Sequence, residues 1–274
     1  MKNCTVGLRT RVSVAVGYLI QRRSTDAFII AHPRSGSTWL RTILTNIILP
    51  DARSDPDVFN ALIRGVSVRS AQDIRSMPSP RLLTSHTAYL PGLPKVLYMV
   101  RDGRDAIISF YEFSVFRNRR LGKLIERKYI DFSVFLDRYY AGEYGHVWDH
   151  HVESWLGMGQ EKMGDRLMLL RYEDLKKSTE EVVEKVAAFF SIRATTEEIS
   201  RAVAEARIEN MREIEKEEWK RKGLGTPSTK ASFYRAGKKR NWGKYFSEDD
   251  KELFEERSAR AFELAHYEFG NWDS

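Results

Sequence analysis

An unbroken apolar run that empties into a short polar loop and then into a helix start constrains this chain more than any other stretch. It spans Phe28–Leu40: Phe28, Ile29, Ile30 and Ala31, then His32, Pro33, Arg34, Ser35, Gly36, Ser37, Thr38, Trp39 and Leu40. Apolar residues without alternation suit a strand buried on both faces, as in parallel sheets covered by helices. A strand, loop and helix in this order turn backbone N–H groups and a helix N-terminus toward one point, where they attract an anion. In the phosphate-loop register of nucleotide hydrolases, G-x-x-x-x-G-K-[ST], the defining positions fall on Ala31, Gly36, Ser37 and Thr38. The Lys is absent, and a different cation, Arg34, stands inside the loop. The loop is therefore expected to bind an anion without hydrolysing a magnesium nucleotide.

The chain has room for a substantial core: 274 residues allow one large α/β domain or two small ones. Hydrophobic content of 42% and charged content of 30% are those of a soluble globular protein. The 45 basic against 38 acidic residues, a net +7, suit anionic ligands without selecting nucleic acid. A lone cysteine, Cys4, excludes an intrachain disulfide framework and a cysteine-based zinc site, and fits a reducing, cytoplasmic setting. Near the N-terminus, the apolar stretch Val12–Ile20 lies between Arg9, Arg11, Arg22 and Arg23. It is too short to span a bilayer, and no small-residue cleavage site follows it. Residues 1–26 are read as an amphipathic segment packed on a single domain of residues 27–274, with peripheral membrane contact as the minor alternative.

The periodicities predict strands at Ala27–Ala31, Arg81–Ser85, Lys95–Val100 and Arg166–Arg171. Helices are predicted at Ser37–Ile48, Asp102–Phe116, Phe132–Tyr140, Val147–Leu156, Thr179–Phe190 and Glu197–Arg207. A last helix is predicted to run from a cap at Ser247–Asp250 to about His266. Pro50–Pro94 and Lys220–Arg240 read mostly as loops. Strands alternating with helices imply an α/β fold, with a central parallel sheet between two helical layers.

Three separated segments place cations and N–H donors where strands end, which is where open α/β sheets bind ligands. They are His32–Trp39, Val100–Phe113 and Phe233–Trp242. Together they resemble the sulfotransferases that use 3′-phosphoadenosine 5′-phosphosulfate (PAPS). The P-K-S-G-T-T-W loop of that family is matched by Pro33–Trp39, with Arg34 for Lys. Its R-[ND]-x-x-D motif and later Ser are matched by Arg101, Asp105 and Ser109; its R-K-G and G-D-W region by Arg235, Gly237 and Trp242. Weaker agreement comes from Trp148–Trp155 and Leu170–Leu175, so the resemblance covers roughly Phe28–Phe254.

The resemblance implies a three-layer α/β/α domain with a P-loop-like phosphosulfate-binding loop, and sulfuryl transfer from PAPS to a hydroxyl or amine of a small-molecule acceptor. Arg34, Ser35, Gly36, Ser37, Thr38 and Trp39 would hold the 5′-phosphosulfate. Arg101 and Ser109 would grip the 3′-phosphate, Arg235, Ala236 and Gly237 would close over it, and Tyr172 would lie near the adenine. His86, in Leu83–His86 where the family has K-T-H, would be the general base, and Arg34 would stabilise charge on the bridging oxygen. His151 and Phe113 would touch the acceptor. No metal or nucleic acid is implied. Departures are Thr84 for the Lys of K-T-H, Ala236 for that of R-K-G, and Gly243, Ser247 and Glu248 in the dimer motif of the cytosolic animal enzymes. One strand cation near the sulfuryl group is thus missing, and that dimer is not expected. The bland readings are that Arg101 only pairs with Asp105, and that Trp148 and Trp155 are core. Adjacent His150 and His151 would point apart on a helix, against a metal site. The alternatives are a P-loop kinase or NTPase, and a non-catalytic nucleotide- or RNA-binding module.

Overall fold

Strand β1 (Ala27–Ala31) is buried along its whole length, as its unbroken apolar run predicts. The computed structural model describes residues 23–51, 75–77, 79, 81–114, 130–145, 147–221, 223, 225–226, 234, 242–270 and 272. The N-terminal amphipathic segment, apart from its last few residues, and most of the 220–240 loop lie outside the described residues.

Beside β1 lie β2 (Leu82–Ser85), β3 (Lys95–Val100) and β4 (Leu167–Arg171), in the order β2-β1-β3-β4. All three pairings are parallel, with Ile30 opposite Ser85 and Ala31 opposite Met99. The helices among the described residues are α1 (Ser37–Ile48), α2 (Gly103–Glu112), α3 (Phe132–Tyr140), α4 (Trp148–Val152) and α5 (Gln160–Met163). They continue with α6 (Tyr172–Lys177), α7 (Thr179–Phe189), α8 (Thr196–Glu205), α9 (Ile208–Arg221) and α10 (Glu248–Leu264).

Alternate side chains of the sheet enter two separate cores. Phe28, Ile30, Leu83, Tyr98 and Val100 face an aromatic cluster that includes Phe135, Tyr139, Trp148, Trp155, Phe254 and Phe262. Ile29, Leu82, Leu97 and Met99 face an aliphatic cluster with Leu40, Ile43 and Leu44 of α1 and Val183, Val186 and Ile199 of α7 and α8. Each such side chain taken fully from water is worth roughly 1.5–3 kcal/mol. This is the expected three-layer α/β/α arrangement. Trp148 and Trp155 are core, as the bland reading had them.

Caps hold the helix starts. Asp102 accepts from the Arg104 N–H, Asp131 from that of Ser133, and Ser247 with Asp250 forms a reciprocal capping box on α10. Three helices that periodicity did not reveal, α5, α6 and α9, appear. In α9 the burial of Met211, Glu215 and Trp219 marks a face one turn apart. The predicted helix Val147–Leu156 is α-helical only through Val152 and then widens into a π-helical stretch, Glu153–Gly159. There the Ser154 hydroxyl donates to the His151 carbonyl, 2.9 Å away, competing with the backbone ladder.

The strand order places a topological switch at β1, with β2 on one side and β3 on the other. Ligand crevices of open α/β sheets form at the carboxyl ends of strands at such points. The chain leaves β1 into His32–Gly36, β2 into His86 and β3 into Arg101. At the opposite end, Arg81 forms a buried two-bond ion pair with Asp26, both contacts 2.6 Å, tying the starts of β1 and β2.

Candidate active site

Loop His32–Gly36 is shaped by two residues in the left-handed region, Arg34 at φ 74° and Gly36 at φ 93°. The glycine is needed for a second reason. A β-carbon at Gly36 would stand 2.5 Å from the Tyr172 ring and 3.3 Å from Met99. The non-glycine Arg34 is held in a sparsely populated conformation, a form of strain that clusters at binding sites. Gly36 caps α1 with no side-chain acceptor, and the first turn carries no acidic residue. The Trp39 N–H donates to the Gly36 carbonyl at 2.9 Å, while the N–H groups of Ser37 and Thr38 precede the helical ladder and face the position where a helix start attracts an anion. Ser35 adds a fully buried hydroxyl without a hydrogen-bond partner among the described residues.

The second motif meets the first in space. The Arg34 Nε donates to the Ser109 hydroxyl, 3.2 Å away, and its guanidinium lies 4.9 Å above the Phe113 ring. Arg101 is buried. One Nη donates to Asp105 at 2.7 Å, its guanidinium lies 4.7 Å over the Tyr172 ring, and its Nε has no partner among the described residues. Burial disfavours its charge, but Asp105 and then Tyr172 outweigh this and raise its pKa. The pair with Asp105 therefore exists, and it leaves one buried guanidinium donor to give. Asp105 is held on its other oxygen by the Trp242 indole N–H at 3.0 Å. Tyr172 thus lies under the loop glycine, edge-on to Trp39 and beneath Arg101.

His86 is exposed at the end of β2, and its Nδ1 lies 2.6 Å from the Ala31 carbonyl. A carbonyl only accepts, so Nδ1 carries the proton and Nε2 is the basic nitrogen. The segment after His86 is anchored from the π-helical stretch. The Trp155 indole donates to the Thr87 carbonyl at 2.9 Å, and the Tyr89 N–H donates to the Ser154 hydroxyl at 3.1 Å.

Beneath the loop lies a buried relay that sequence reasoning missed. The Trp148 N–H donates to the Tyr139 hydroxyl at 2.7 Å, which leaves that hydroxyl's proton for His32 Nε2, 3.0 Å away. His151 is buried beside it, with Nδ1 2.9 Å from the Tyr98 hydroxyl and its ring edge-on to His32. Burial pushes both tyrosine hydroxyls well above their ordinary range. Adjacent His150 is exposed, so the two histidines do point apart. Arg104 is spent on structure: it donates to Asp102 and to the Glu268 and Phe269 carbonyls, and it stacks 3.7 Å from Trp242. The structure thus gathers Arg34, Ser35, Gly36, Ser37, Thr38, Trp39, Arg101, Ser109, Tyr172 and Phe113 around one crevice, with His86 at the end of the adjoining strand and His151 below. Arg235, Ala236 and Gly237 lie outside the described residues.

A family model described as a sulfotransferase domain matches residues 24–265. The rabbit (Oryctolagus cuniculus) amine sulfotransferase is 26% identical over 248 residues, covering 85% of this chain and 79% of its own. Human (Homo sapiens) sulfotransferase 2A1 is 26% identical over 274 residues, covering 93% and 92%. Among solved structures, retinol dehydratase in complex with retinol and PAP superposes with TM-score 0.71 at 18% identity, over 95% of this chain and 88% of that one. Mouse sulfotransferase SULT7A1 complexed with PAP gives TM-score 0.63 at 19% identity, over 91% and 90%.

Proposed function

We propose a residue-level mechanism for this chain, which belongs to the sulfotransferase family and moves a sulfuryl group from PAPS to an acceptor. The observation that carries the residue roles is the Arg34–Ser109 contact. It joins the anion-binding loop to the second motif, so that one crevice has a cradle at each end for a nucleotide with two anionic groups.

The residues present fit such a nucleotide. The uncapped start of α1, the buried Ser35 hydroxyl and the loop that Gly36 permits suit a 5′ anion. Arg101 Nε and the Ser109 hydroxyl suit the 3′-phosphate, since a guanidinium binds phosphate oxygens directionally and strongly. Arg235, Ala236 and Gly237 are assigned the closing role by the sequence pattern. PAPS supplies an activated sulfuryl group whose leaving group is a phosphate. His86 accepts the acceptor's proton on Nε2, while the Ala31 carbonyl fixes the tautomer through Nδ1. Arg34 supplies fixed positive charge to the departing phosphate oxygen and cannot act as an acid, because its pKa lies far above neutrality. The acceptor is a small molecule bearing a hydroxyl or amine. Phe113, half-buried under Arg34, offers it an aromatic face, in keeping with the retinol and androsterone held in neighbouring structures. Residues from 27 onward form the catalytic domain, acting in the cytoplasm. No helix among the described residues is long and apolar enough to cross a membrane.

Calorimetric titration without magnesium tests this reading. Adenosine 3′,5′-bisphosphate should bind with a Kd on the order of micromolar, and AMP and ATP, which lack the 3′-phosphate, at least ~10-fold more weakly. A preference for magnesium-ATP would overturn it in favour of a P-loop kinase.

A further inference from the structure

We propose that Arg41 is a positioning residue for the 5′ end of the nucleotide, acting through the hydroxyls of Thr38 and Thr84. The proposal rests on the donor-site reading above and extends it to a residue outside every motif that carries that reading.

Arg41 lies on α1 one turn after the loop, and its side chain is buried. One Nη donates to the Thr84 hydroxyl at 2.7 Å and the other to the Thr38 hydroxyl at 2.9 Å. The two threonines come from different walls of the crevice. Thr38 is in the first turn of α1, and Thr84 is in β2, two residues before His86. A guanidinium only donates, so both hydroxyl oxygens are used as acceptors on the Arg41 side. Each hydroxyl proton is then directed away from Arg41. A cation behind a hydroxyl polarises it and makes it a better donor to an anion. Thr84 is also the position at which the strand lacks the lysine of the sulfotransferase pattern. The charge has moved from the strand to the helix, and the threonine pair conveys it.

The test compares two nucleotides: adenosine 3′,5′-bisphosphate, which has the 5′ anion, and adenosine 3′-monophosphate, which does not. Arg41→Gln should weaken the bisphosphate by about 10–100-fold, the scale of a charge-assisted hydrogen bond, and the monophosphate by less than ~3-fold. Arg41→Lys keeps the charge but cannot bridge both hydroxyls in a planar fork, so it should fall between wild type and Arg41→Gln. Thr84→Val preserves shape, removes one relay hydroxyl, and should weaken the bisphosphate alone, by about 3–10-fold. In turnover, the KM for PAPS should rise in step with the lost bisphosphate affinity. Equal loss for both nucleotides would make Arg41 a support for the fold and overturn the proposal. If Arg41→Gln does not fold, Thr84→Val decides alone: wild-type preference for the bisphosphate in that variant overturns it. A wild-type protein that binds neither nucleotide overturns the donor-site reading itself, and this proposal with it.

Discussion

His86 shows how one backbone atom assigns a side chain its chemistry. The Ala31 carbonyl, 2.6 Å from Nδ1, fixes the tautomer and turns the basic nitrogen outward from the strand end. His86→Ala should keep nucleotide affinity within ~3-fold and lose turnover by ~100-fold or more, the usual scale for a general base. Titration beside steady-state kinetics checks both halves, and a variant with near wild-type turnover would remove His86 from the mechanism. The sequence singled out this histidine as the candidate base from its place after a predicted strand and from the K-T-H segment of the sulfotransferase pattern. Its tautomer was not legible there, because that depends on a carbonyl from a different strand. The same holds for Arg41, which reads as an ordinary polar position on a helix until β2 is placed beside it.

At the scale of elements, loop His32–Gly36 works because α6 packs under it. Tyr172, the first residue of α6, fills the space that any β-carbon at Gly36 would need. Gly36→Ala adds left-handed strain to that clash and should destabilise the protein by about 2–4 kcal/mol, read from urea unfolding. A change under ~0.5 kcal/mol would mean that the loop shifts freely. The strands and the motif-bearing helices were legible because each is an apolar run or a 3.6-residue stripe with its own caps. Helix α6 was not, since it is short and begins on a residue whose role is set by the loop above it. The turn from α4 into a π-helical stretch also escaped the periodicity, although it anchors the segment behind His86 through Trp155 and Ser154.

For the whole molecule, the aromatic core beneath the sheet has a buried carboxylate at its edge, and this makes stability depend on pH. Burial raises the pKa of Asp149; the His150 N–H and charge and the Arg257 guanidinium, 3.9 Å away, offset this only in part. One of its oxygens has no partner among the described residues. A carboxyl whose folded pKa lies above the unfolded one holds its proton more tightly when folded. Its contribution is full below the ordinary carboxylate value of ~4 and is lost as pH rises through the raised pKa. Asp149→Asn has no such loss. Its stability relative to wild type should therefore improve as pH rises above ~4 and level off once pH passes the raised pKa, as measured by Tm between pH ~4 and ~7. A difference that stays constant with pH would show that Asp149 does not titrate in this window.

The sequence by itself determined the parallel sheet, the anion-binding loop, the family pattern and the candidate residues on it. These depend on local spacing: unbroken apolar runs, helix caps, a glycine where only glycine fits, and a fixed order of motifs. Tertiary structure alone decided that Arg34 reaches Ser109, that Arg101 keeps a buried donor beyond its pair with Asp105, and that Arg41 bridges Thr38 and Thr84. The Arg34–Ser109 and Arg41–Thr84 contacts join segments distant along the chain. Such contacts are set by the order of the strands and the packing of helices between two cores, which local pattern does not encode.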